Sequence, residues 1–361
     1  MLLVVFFTLL SACSSHFLKM EKKEEEFKKN IEFDEKVVIK ELPAEVSDSN
    51  SQAVGVPPSP LSNPEPPALK EPVKTIKKKS LPAKAVKKGK AEKKAPPDEV
   101  ATAAVAEPPP LVDIESKDGI NGRRPIKDPF RVGEEVIHEM HYFKVAAGEL
   151  RLKVGPFVEV NGRRSYTFTT ELESSRMFSS FYSVQDTATT YVDYAEFVPH
   201  VFTLSVKETG QIKDGKGLFD IKNNKATYWE KKFTKKDGQE EARKEWDILP
   251  FSQNVYSAAY YMRLFKWDVG KEYSFRVADA GENIVFKGKA IRKEKIETEV
   301  GDFEAIVIKP EITVKGIFKP IGDIYFWLSD DDRKYILRIE SSIKIGTIVS
   351  EVIKINPGKT P

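Results

Sequence analysis

Short stretches of alternating apolar and polar residues fill residues 124–357 and restrict what this part of the chain can fold into. Residues 136–143 begin a long strand, and Asn161-Gly162 separates two further stretches as a tight hairpin turn does. Turn residues recur about every 8–15 residues, which is typical of an antiparallel sheet or barrel. The sequence therefore predicts an all-β, mainly antiparallel domain over residues 124–357, with a curved or barrel-like sheet.

Two short helical segments interrupt the predicted strands. Residues 176–184 are short and apolar enough to plug an opening, and residues 252–265 begin at Ser252, a residue type that caps helices. Residues 324–328 are apolar on both faces of a strand, so one face must meet the second helix or an enclosed cavity. The apolar stripe of the second helix consists of Val255, Ala258, Ala259, Met262 and Phe265.

The composition of residues 13–120 is unsuited to a core. Prolines recur among Ala, Lys, Glu and Ser, and such a segment buries too little apolar surface to offset its chain entropy. We therefore predict a long disordered tether before the β domain. Within it, residues 21–42 have the spacing of a short amphipathic helix, either transient in solution or lying on a membrane surface. Its apolar positions are Phe27, Ile31, Val38 and Leu42.

Positive charge is concentrated in residues 70–94, which hold eleven lysines and two glutamates, whereas the whole chain carries a formal net charge of +3. The basic surplus therefore belongs to the tether and says little about the folded domain. We expect this segment to be either a solvated spacer or a contact to peptidoglycan or another anionic envelope polymer. Because it has no aromatic residue for base stacking, no nucleic-acid partner is predicted.

The N-terminal residues have the pattern of a targeting signal. Leu10-Ser11-Ala12-Cys13 follows a short apolar run and resembles the lipobox of bacterial lipoproteins, in which cleavage precedes a lipidated cysteine. This resemblance implies a signal peptide over residues 1–12 and a palmitate-bearing lipid anchor on Cys13. It also implies attachment to the outer membrane facing the periplasm, or the cell surface, since Ser14 is not acidic. The apolar run has about half of the ~20 residues that span a bilayer.

Residues 124–357 contain a series of short sequence landmarks in a fixed order. They are Phe130-Arg131-Val132-Gly133-Glu134, Ala147-Gly148, Pro199, residues 247–263 with Tyr260-Tyr261-Met262-Arg263, Val300-Gly301-Asp302-Phe303 and Trp327-Leu328-Ser329-Asp330-Asp331. Their order resembles that of the DUF3108 family of Gram-negative envelope proteins, whose function is unknown. The resemblance implies a periplasmic β-rich domain and carries over no catalytic residue.

Patterns for metal binding and catalysis are weak. His138 and His141 have the HxxH spacing, but residues three apart on a strand point to opposite faces, so no metal site is predicted. The run of three aspartates at residues 330–332 fits a solvated turn better than a calcium loop. Neither a nucleophile elbow nor a phosphate-binding loop occurs in the sequence, and no cofactor is predicted. Asp247 and Arg263 are expected either to pair and hold the second helix or to line a polar spot.

We predict a non-enzymatic, lipid-anchored protein whose sheet binds an apolar, lipid-like ligand in a cleft beneath the second helix. The residues predicted to line this cleft are Tyr256, Tyr260, Tyr325 and Trp327.

Two alternatives remain open. In the first alternative, the chain is a structural or interaction protein of the envelope. It would contact peptidoglycan through residues 70–94 or a protein through the β domain. The second alternative is an envelope hydrolase, which needs two clustered carboxylates, or a carboxylate with a histidine, in a cleft. Acids such as Glu134, Glu171 and Asp186 are spread over many strands, so the sequence does not choose among them.

Overall fold

A computed structural model describes residue 27 and residues 29–42, 120–121, 124–125, 127–314, 317–318, 324–343 and 346–359. The predicted signal peptide, Cys13, the lysine-rich residues 70–94 and most of the predicted tether lie outside the described residues. The described residues all belong to one compact unit.

One antiparallel sheet of sixteen strands makes up most of this unit, and a separate pair, β2 with β3, forms a two-stranded sheet. The strands are β1 Ile39–Glu41, β2 Ile120–Asn121, β3 Arg124–Pro125, β4 Glu134–Tyr142, β5 Val145–Val160, β6 Arg163–Ser174, β7 Val184–Asp193, β8 Pro199–Glu208, β9 Gln211–Asp220, β10 Lys225–Thr234, β11 Gly238–Asp247, β12 Glu272–Asp279, β13 Glu282–Thr298, β14 Gly301–Val314, β15 Ile317–Phe318, β16 Ile324–Ser329, β17 Ile336–Ile343 and β18 Gly346–Pro357.

The large sheet is a meander that turns back on itself. Its strand order is β11-β10-β9-β8-β7-β6-β5-β4-β18-β17-β16-β14-β13-β12, with β1 paired to β5 and β15 to β14. The edge strands β11 and β12 are not paired with each other, but side-chain hydrogen bonds join β11 to the β12–β13 hairpin. Lys244 Nζ donates to the Ala280 carbonyl at 3.0 Å, and Asn283 Nδ2 donates to the Asp247 carbonyl at 2.8 Å. The predicted all-β domain with a curved antiparallel sheet is confirmed.

The hairpin turn after β5 has the predicted conformation. Asn161 and Gly162 both have positive φ, 49° and 82°. A two-residue turn of this kind matches the twist of the strands it joins, and only Gly and Asn adopt it at low cost. This turn fixes the register between β5 and β6, in which Val160 faces Arg163.

The helices whose bounds lie fully within the described residues are short: α1 Ile31–Lys36, α2 Arg176–Ser179 and α3 Val255–Tyr261, the last continuing as a 3-10 turn over Met262–Leu264. Within the described ranges, no helix is both long and apolar enough to cross a membrane.

The start of α3 differs from the prediction. Asn254, not Ser252, caps the helix, because its side chain accepts from the backbone N–H of Tyr256 and Ser257. Gln253 instead bridges in parallel to Val277 on the edge strand β12. The predicted apolar stripe is also wrong at Val255, which is exposed, while the tyrosine side of the helix is buried.

Residues 29–42 fold onto the sheet, so this part of the predicted tether belongs to the compact unit. Strand β4 pairs with β5 only as far as Lys153, and β1 covers part of the edge beyond, with Ile39 facing Val160. Phe33 packs edge-to-face on Trp229 with ring centroids 5.8 Å apart. We call residues 29–42 the N-terminal strap.

The apolar face of the strap differs from the predicted one. Of the positions that the helical spacing selects, Phe27 is buried, whereas Ile31 and Val38 are exposed. Phe33 and Val37, which the spacing does not select, are buried. The helix is only six residues long and gives way to the extended strand β1, so a single helical period over residues 21–42 does not describe the segment.

Candidate functional site

The concave face of the sheet is filled by α3 and the residues that follow it. Tyr261 and Phe265 are almost fully buried, and Phe265 stacks on Tyr273 and Phe275 with centroid distances of 4.7 and 5.9 Å. Trp267 closes this group by donating its indole N–H to the Met262 carbonyl at 2.9 Å. The cleft predicted beneath this helix is therefore occupied by the protein's own close-packed side chains.

Tyr260, one of the four predicted ligand-binding residues, is part of this core. Its ring stacks on Phe168 at 4.2 Å. Its hydroxyl accepts from the Lys153 backbone N–H at 3.1 Å and donates to the Thr169 carbonyl at 2.9 Å. These bonds hold α3 against β5 and β6, and they leave the hydroxyl fully engaged within the protein.

Tyr325 and Trp327 lie together on β16, with ring centroids 6.2 Å apart, in a charged environment. The indole ring of Trp327 has the guanidinium groups of Arg292 and Arg338 at 5.8 and 5.2 Å from its centroid. Its N–H donates to Glu294 at 2.6 Å. These contacts differ from those of Tyr260, so the structure does not bring the predicted residues around one cleft.

A buried ion-pair network locks the 3-10 turn to the start of β4. Arg263 Nη1 lies 2.6 Å from Glu134 Oε1, and Arg333 Nη2 lies 2.5 Å from the other carboxylate oxygen. The predicted alternative in which Arg263 pairs with Asp247 is wrong. Asp247 is exposed at the end of β11 and pairs with Lys225 at 3.2 Å, whereas a buried guanidinium requires a buried carboxylate.

His138 and His141 occupy different environments, as their spacing on a strand predicts. His138 is completely buried, whereas His141 is partly exposed and lies 2.9 Å from Glu139. Burial lowers the pKa of His138 to about 4, and the backbone of Ser350 and Ile336 only partly offsets this. Among the residues that the structure describes, no three His, Cys, Asp or Glu side chains are grouped to hold a metal ion.

A second group of side chains lies where the two edges of the sheet approach each other. Tyr256 on α3 is buried with Tyr228 and Phe202, and the Phe202 ring stacks on Tyr228 at 5.8 Å. Burial raises the pKa of the Tyr256 hydroxyl, and the carboxylates of Asp279 and Asp186 raise it further. We call Tyr228, Tyr256, Asp186, Asp279 and Glu208 the carboxyl site.

The acids of the carboxyl site are unequally neutralised. The Glu208 carboxylate accepts from the Tyr182 hydroxyl at 2.6 Å and from Gln211. Asp186 accepts one bond, from the Lys207 backbone N–H at 3.2 Å. Within the described ranges, neither Asp186 nor Asp279 lies within ion-pairing distance of a basic side chain.

This environment changes the protonation of both aspartates. Burial raises the pKa of Asp186 to about 7, and the neighbouring Glu208 carboxylate adds to the shift. Burial likewise raises the pKa of Asp279. A carboxyl group that titrates near neutrality exchanges its proton readily or accepts a cation in its place.

Exposed apolar side chains gather at one end of the sheet. Phe143 and Val145 lie at the β4–β5 turn, and Met177 and Phe181 lie on and just after α2. The two segments are neighbours, because the Ser175 hydroxyl donates to the Ala146 carbonyl at 2.9 Å. We call Phe143, Val145, Met177 and Phe181 the apolar rim.

The fold defines a barrel-like antiparallel β protein with a plugged interior. A family model described as "Protein of unknown function (DUF3108)" matches residues 138–353. The chain belongs to the DUF3108 family, which confirms the resemblance found in its sequence landmarks. No curated protein matches it by sequence.

Three solved structures share features of the fold. A β-barrel-like DUF1849 protein from Brucella abortus is 11% identical, with a TM-score of 0.42, and the match covers 63% of this chain and 98% of that one. A protein from Bacteroides fragilis described as exported, with a YmcC-like fold, is 10% identical with a TM-score of 0.29, covering 64% and 98%. One from Parabacteroides distasonis described as a lipoprotein is 10% identical with a TM-score of 0.26, covering 64% and 99%.

Of the residues of the carboxyl site, the sequence analysis names Tyr256 and Asp186 but not Glu208, Asp279 or Tyr228. The available signal is strand alternation: Asp186 falls on the same face of β7 as the buried Ala188 and Val184. A carboxylate on an otherwise apolar inward face is unusual and marks a candidate site. Its partners lie on β8 and β12, and no pattern within one strand predicts which strands meet.

Proposed function

We propose that this chain is an exported, lipid-anchored, non-catalytic envelope protein whose β domain contacts a lipid bilayer through the apolar rim. The observation that carries this proposal is the contrast between a filled interior and four large apolar side chains exposed at one end. The proposal keeps the predicted lipid-like ligand but moves the contact from an interior cleft to the surface. Exposed apolar side chains grouped in this way are typical of a docking surface.

The conformation of the β4–β5 turn supports a functional role for the rim. Phe143 and Lys144 have φ values of 49° and 64°, a region that side chains other than Gly and Asn seldom occupy. Holding each residue there costs about 1 kcal/mol, and such strain is concentrated at functional sites. The turn holds an aromatic ring in solvent where a glycine or asparagine would suit the backbone better.

The charges beside the rim suit a bilayer surface. Lys144 and Arg176 are exposed next to Phe143 and Met177. Aromatic and aliphatic side chains enter the headgroup region while basic side chains remain among anionic lipid headgroups. This complementarity favours an anionic bilayer over a purely apolar protein partner.

The position of the strap supports nearness to the membrane. Phe27 is buried and follows Cys13 by fourteen residues, so the chain between them reaches at most about 50 Å. The strap meets β5 at Val160, and the rim lies at the other end of this strand, also about 50 Å away. A lipid on Cys13 would therefore hold the rim within reach of the same membrane.

Vesicle sedimentation tests the proposal. The chain from Ser14 onward, which lacks the apolar leader, is mixed with vesicles that contain phosphatidylglycerol. We expect it to sediment with the vesicles, and Phe143→Ser with Phe181→Ser to lower the partition coefficient at least about tenfold through lost apolar burial. Val269→Ser, which removes an exposed valine elsewhere, is the matched control and should bind like the wild type.

Two results would overturn this proposal. One is equal sedimentation of the wild type and the double variant. The other is a wild-type protein that does not bind vesicles but self-associates through the apolar rim. The rim would then contact a second copy of the chain and not a bilayer. Contact between residues 70–94 and peptidoglycan stays a separate prediction, tested by pull-down with and without that segment.

A further inference from the structure

We propose that two copies of this chain pair through the edge strand β11, antiparallel and with the two-fold axis beside Ala242, so that their two sheets become one. This interface is separate from the apolar rim, and the lipid-contact proposal does not depend on it. Three features of β11 support the pairing: its open edge, the order of its charges and the position of Arg243.

The open edge is the first feature. Exposed strand edges offer unpaired backbone N–H and C=O groups, and proteins usually cover, shorten or interrupt them. In this sheet β1 covers the part of β5 that β4 does not reach, and Gln253 bridges to β12, donating its N–H to the Arg276 carbonyl at 2.7 Å. Strand β11 pairs with β10 over ten residues without a bulge, contains no proline and, among the described residues, has no strand on its other side. Its edge can therefore accept a further strand.

Most of this edge is accessible. The β12–β13 hairpin contacts β11 at Lys244 and Asp247, toward the C-terminal end of the strand. All residues from 239 to 245 are nevertheless exposed. The residues that the proposed pairing uses, 240–244, lie within this exposed range.

The order of charges is the second feature, and it selects one register. Outward-facing backbone groups belong to every second residue, so the two-fold axis of a symmetric antiparallel pair passes beside one residue and not between two. Beside Glu240, Glu241, Arg243 or Lys244, this axis would bring two like charges face to face. Beside Ala242, it brings two alanines together and opposes no like charges along β11.

With the axis beside Ala242, opposite charges face each other across the interface. Glu241 faces Arg243 of the second copy, Glu240 faces Lys244 of the second copy, and the symmetry repeats both pairs. Within a single chain, no described residue forms an ion pair with Glu240 or Glu241, whereas Arg243 pairs with Glu32 and Glu245. Opposite charges placed directly across an antiparallel pair stabilise it. A second copy of this chain therefore matches the edge in both backbone and charge.

The position of Arg243 is the third feature. Its Nε and Nη2 groups donate to the Glu32 carboxylate of the N-terminal strap, each at 3.0 Å, and Nη2 also donates to Glu245 at 2.9 Å. The guanidinium group lies 5.8 Å from the centroid of the Trp229 ring. None of these hydrogen bonds uses Nη1, so its N–H groups can meet the Glu241 carboxylate of the second copy. Because the side chain is already held in place, pairing costs it little further freedom.

Disulfide trapping tests the register. The chain from Ser14 onward lacks Cys13, so Ala242→Cys gives it a single thiol. We expect this variant to form a covalent dimer under mild oxidation, because residues that face each other across an antiparallel pair have Cα atoms about 5 Å apart, within disulfide reach. Glu240→Cys is the matched control. In the proposed register the two copies of residue 240 are four residues apart along the strands, about 13 Å, so this variant should form far less dimer.

Charge exchange tests the pairing itself. By sedimentation velocity at up to about 100 µM protein, we expect the wild type to form a reversible dimer, as suits a small interface. Glu240→Lys and Lys244→Glu should each weaken dimerisation at least about tenfold, because each replaces two opposite-charge pairs with two like-charge pairs. An equal mixture of these two variants should dimerise again, since each new charge then faces its opposite. Glu297→Lys, an equal change at an exposed position elsewhere, should dimerise like the wild type.

Three outcomes would overturn the inference: a wild type that stays monomeric over this range, equal cross-linking of Ala242→Cys and Glu240→Cys, or a dimer that Glu240→Lys and Lys244→Glu both keep. Circular dichroism melting shows whether each variant is folded, and a dimer restored in the mixture requires that both are. Vesicle sedimentation of Glu240→Lys should match that of the wild type, while Phe143→Ser with Phe181→Ser should keep the dimer. Failure of one proposal is therefore distinguishable from failure of the other.

Discussion

Two inward-facing carboxylates of the protein, Glu134 and Asp186, have opposite environments. Glu134 at the start of β4 is held by Arg263 and Arg333 at 2.6 and 2.5 Å, and it is 2% exposed. Asp186 on β7 accepts one backbone hydrogen bond and has no ion-pair partner among the described residues. Both acids lie near α3, yet only the first is fully neutralised.

This difference separates a carboxylate with a structural role from one that remains available to bind a proton or a cation. A buried carboxylate with two guanidinium partners has every lone pair engaged, so it can hold elements together but has nothing left for a ligand. A carboxylate with one weak partner is a local source of instability that a bound proton or cation removes. The four predictions below test this contrast.

The largest effect is expected at the paired acid. Arg263→Met leaves Glu134 buried with one partner, and we expect it to lower the free energy of unfolding by about 4 kcal/mol. The measurement is urea denaturation at neutral pH. Adding Glu134→Gln to Arg263→Met should restore part of the loss, because the uncompensated charge disappears. A double variant less stable than Arg263→Met alone would show that packing, not charge, dominates the network.

The next effect comes from His138, a buried histidine whose ionised form loses more from burial than it gains from the backbone of Ser350 and Ile336. The pKa of His138 is about 4 in the fold and about 6.5 unfolded, so the unfolded chain takes up the proton first as pH falls. The stability that neutral His138 allows is complete above about pH 7, and about 3 kcal/mol should be lost by about pH 4. Denaturation curves across this range should be flatter for His138→Leu than for the exposed control His141→Leu. Equal slopes would contradict the prediction.

The sequence predicts the fold better than it predicts the candidate site. Local patterns determine the strands and turns, whereas the site depends on which distant strands come together. Strand alternation and Asn161-Gly162 are local signals, and both appear in the structure as predicted. The structure also explains why glycine stands at the landmark position 148, because a Cβ atom there would collide with the Glu173 carbonyl on the neighbouring strand.

Three features could not be predicted in this way. The N-terminal strap pairs with part of the edge of β5. This part is open because β4 is shorter than β5 and does not reach it. The pairing of Arg263 with Glu134 joins residues far apart in the chain, with several acids as equally plausible partners. The packing of β7 and β12 against the same helix, α3, requires the sheet to curve, and no pattern within one strand predicts this.

The third prediction concerns the unpaired acid. The pKa of Asp186 is about 7 in the fold and about 3.8 unfolded, so this carboxyl lowers the stability as pH rises from about 4 to about 7, and the full loss is present above that. Asp186→Asn should therefore raise the free energy of unfolding by about 2 kcal/mol at about pH 8, and the gain should disappear by about pH 4. Urea denaturation at the two pH values measures both. Glu297→Gln should give no such gain, and a destabilised Asp186→Asn would mean that the carboxylate has a partner in solution.

The smallest effect gives the sharpest comparison, because it removes one oxygen atom from each of two tyrosines of the same helix. The Tyr260 hydroxyl has hydrogen bonds to Lys153 and Thr169, so Tyr260→Phe leaves buried backbone groups without it and should cost about 1 kcal/mol. The Tyr256 hydroxyl bonds to none of the described residues, so Tyr256→Phe should change the free energy of unfolding by less than about 0.5 kcal/mol. Because both rings and both backbones are kept, urea denaturation of the two variants compares hydroxyl groups alone. A loss in Tyr256→Phe as large as that in Tyr260→Phe would show that the Tyr256 hydroxyl has an internal hydrogen-bond partner in solution.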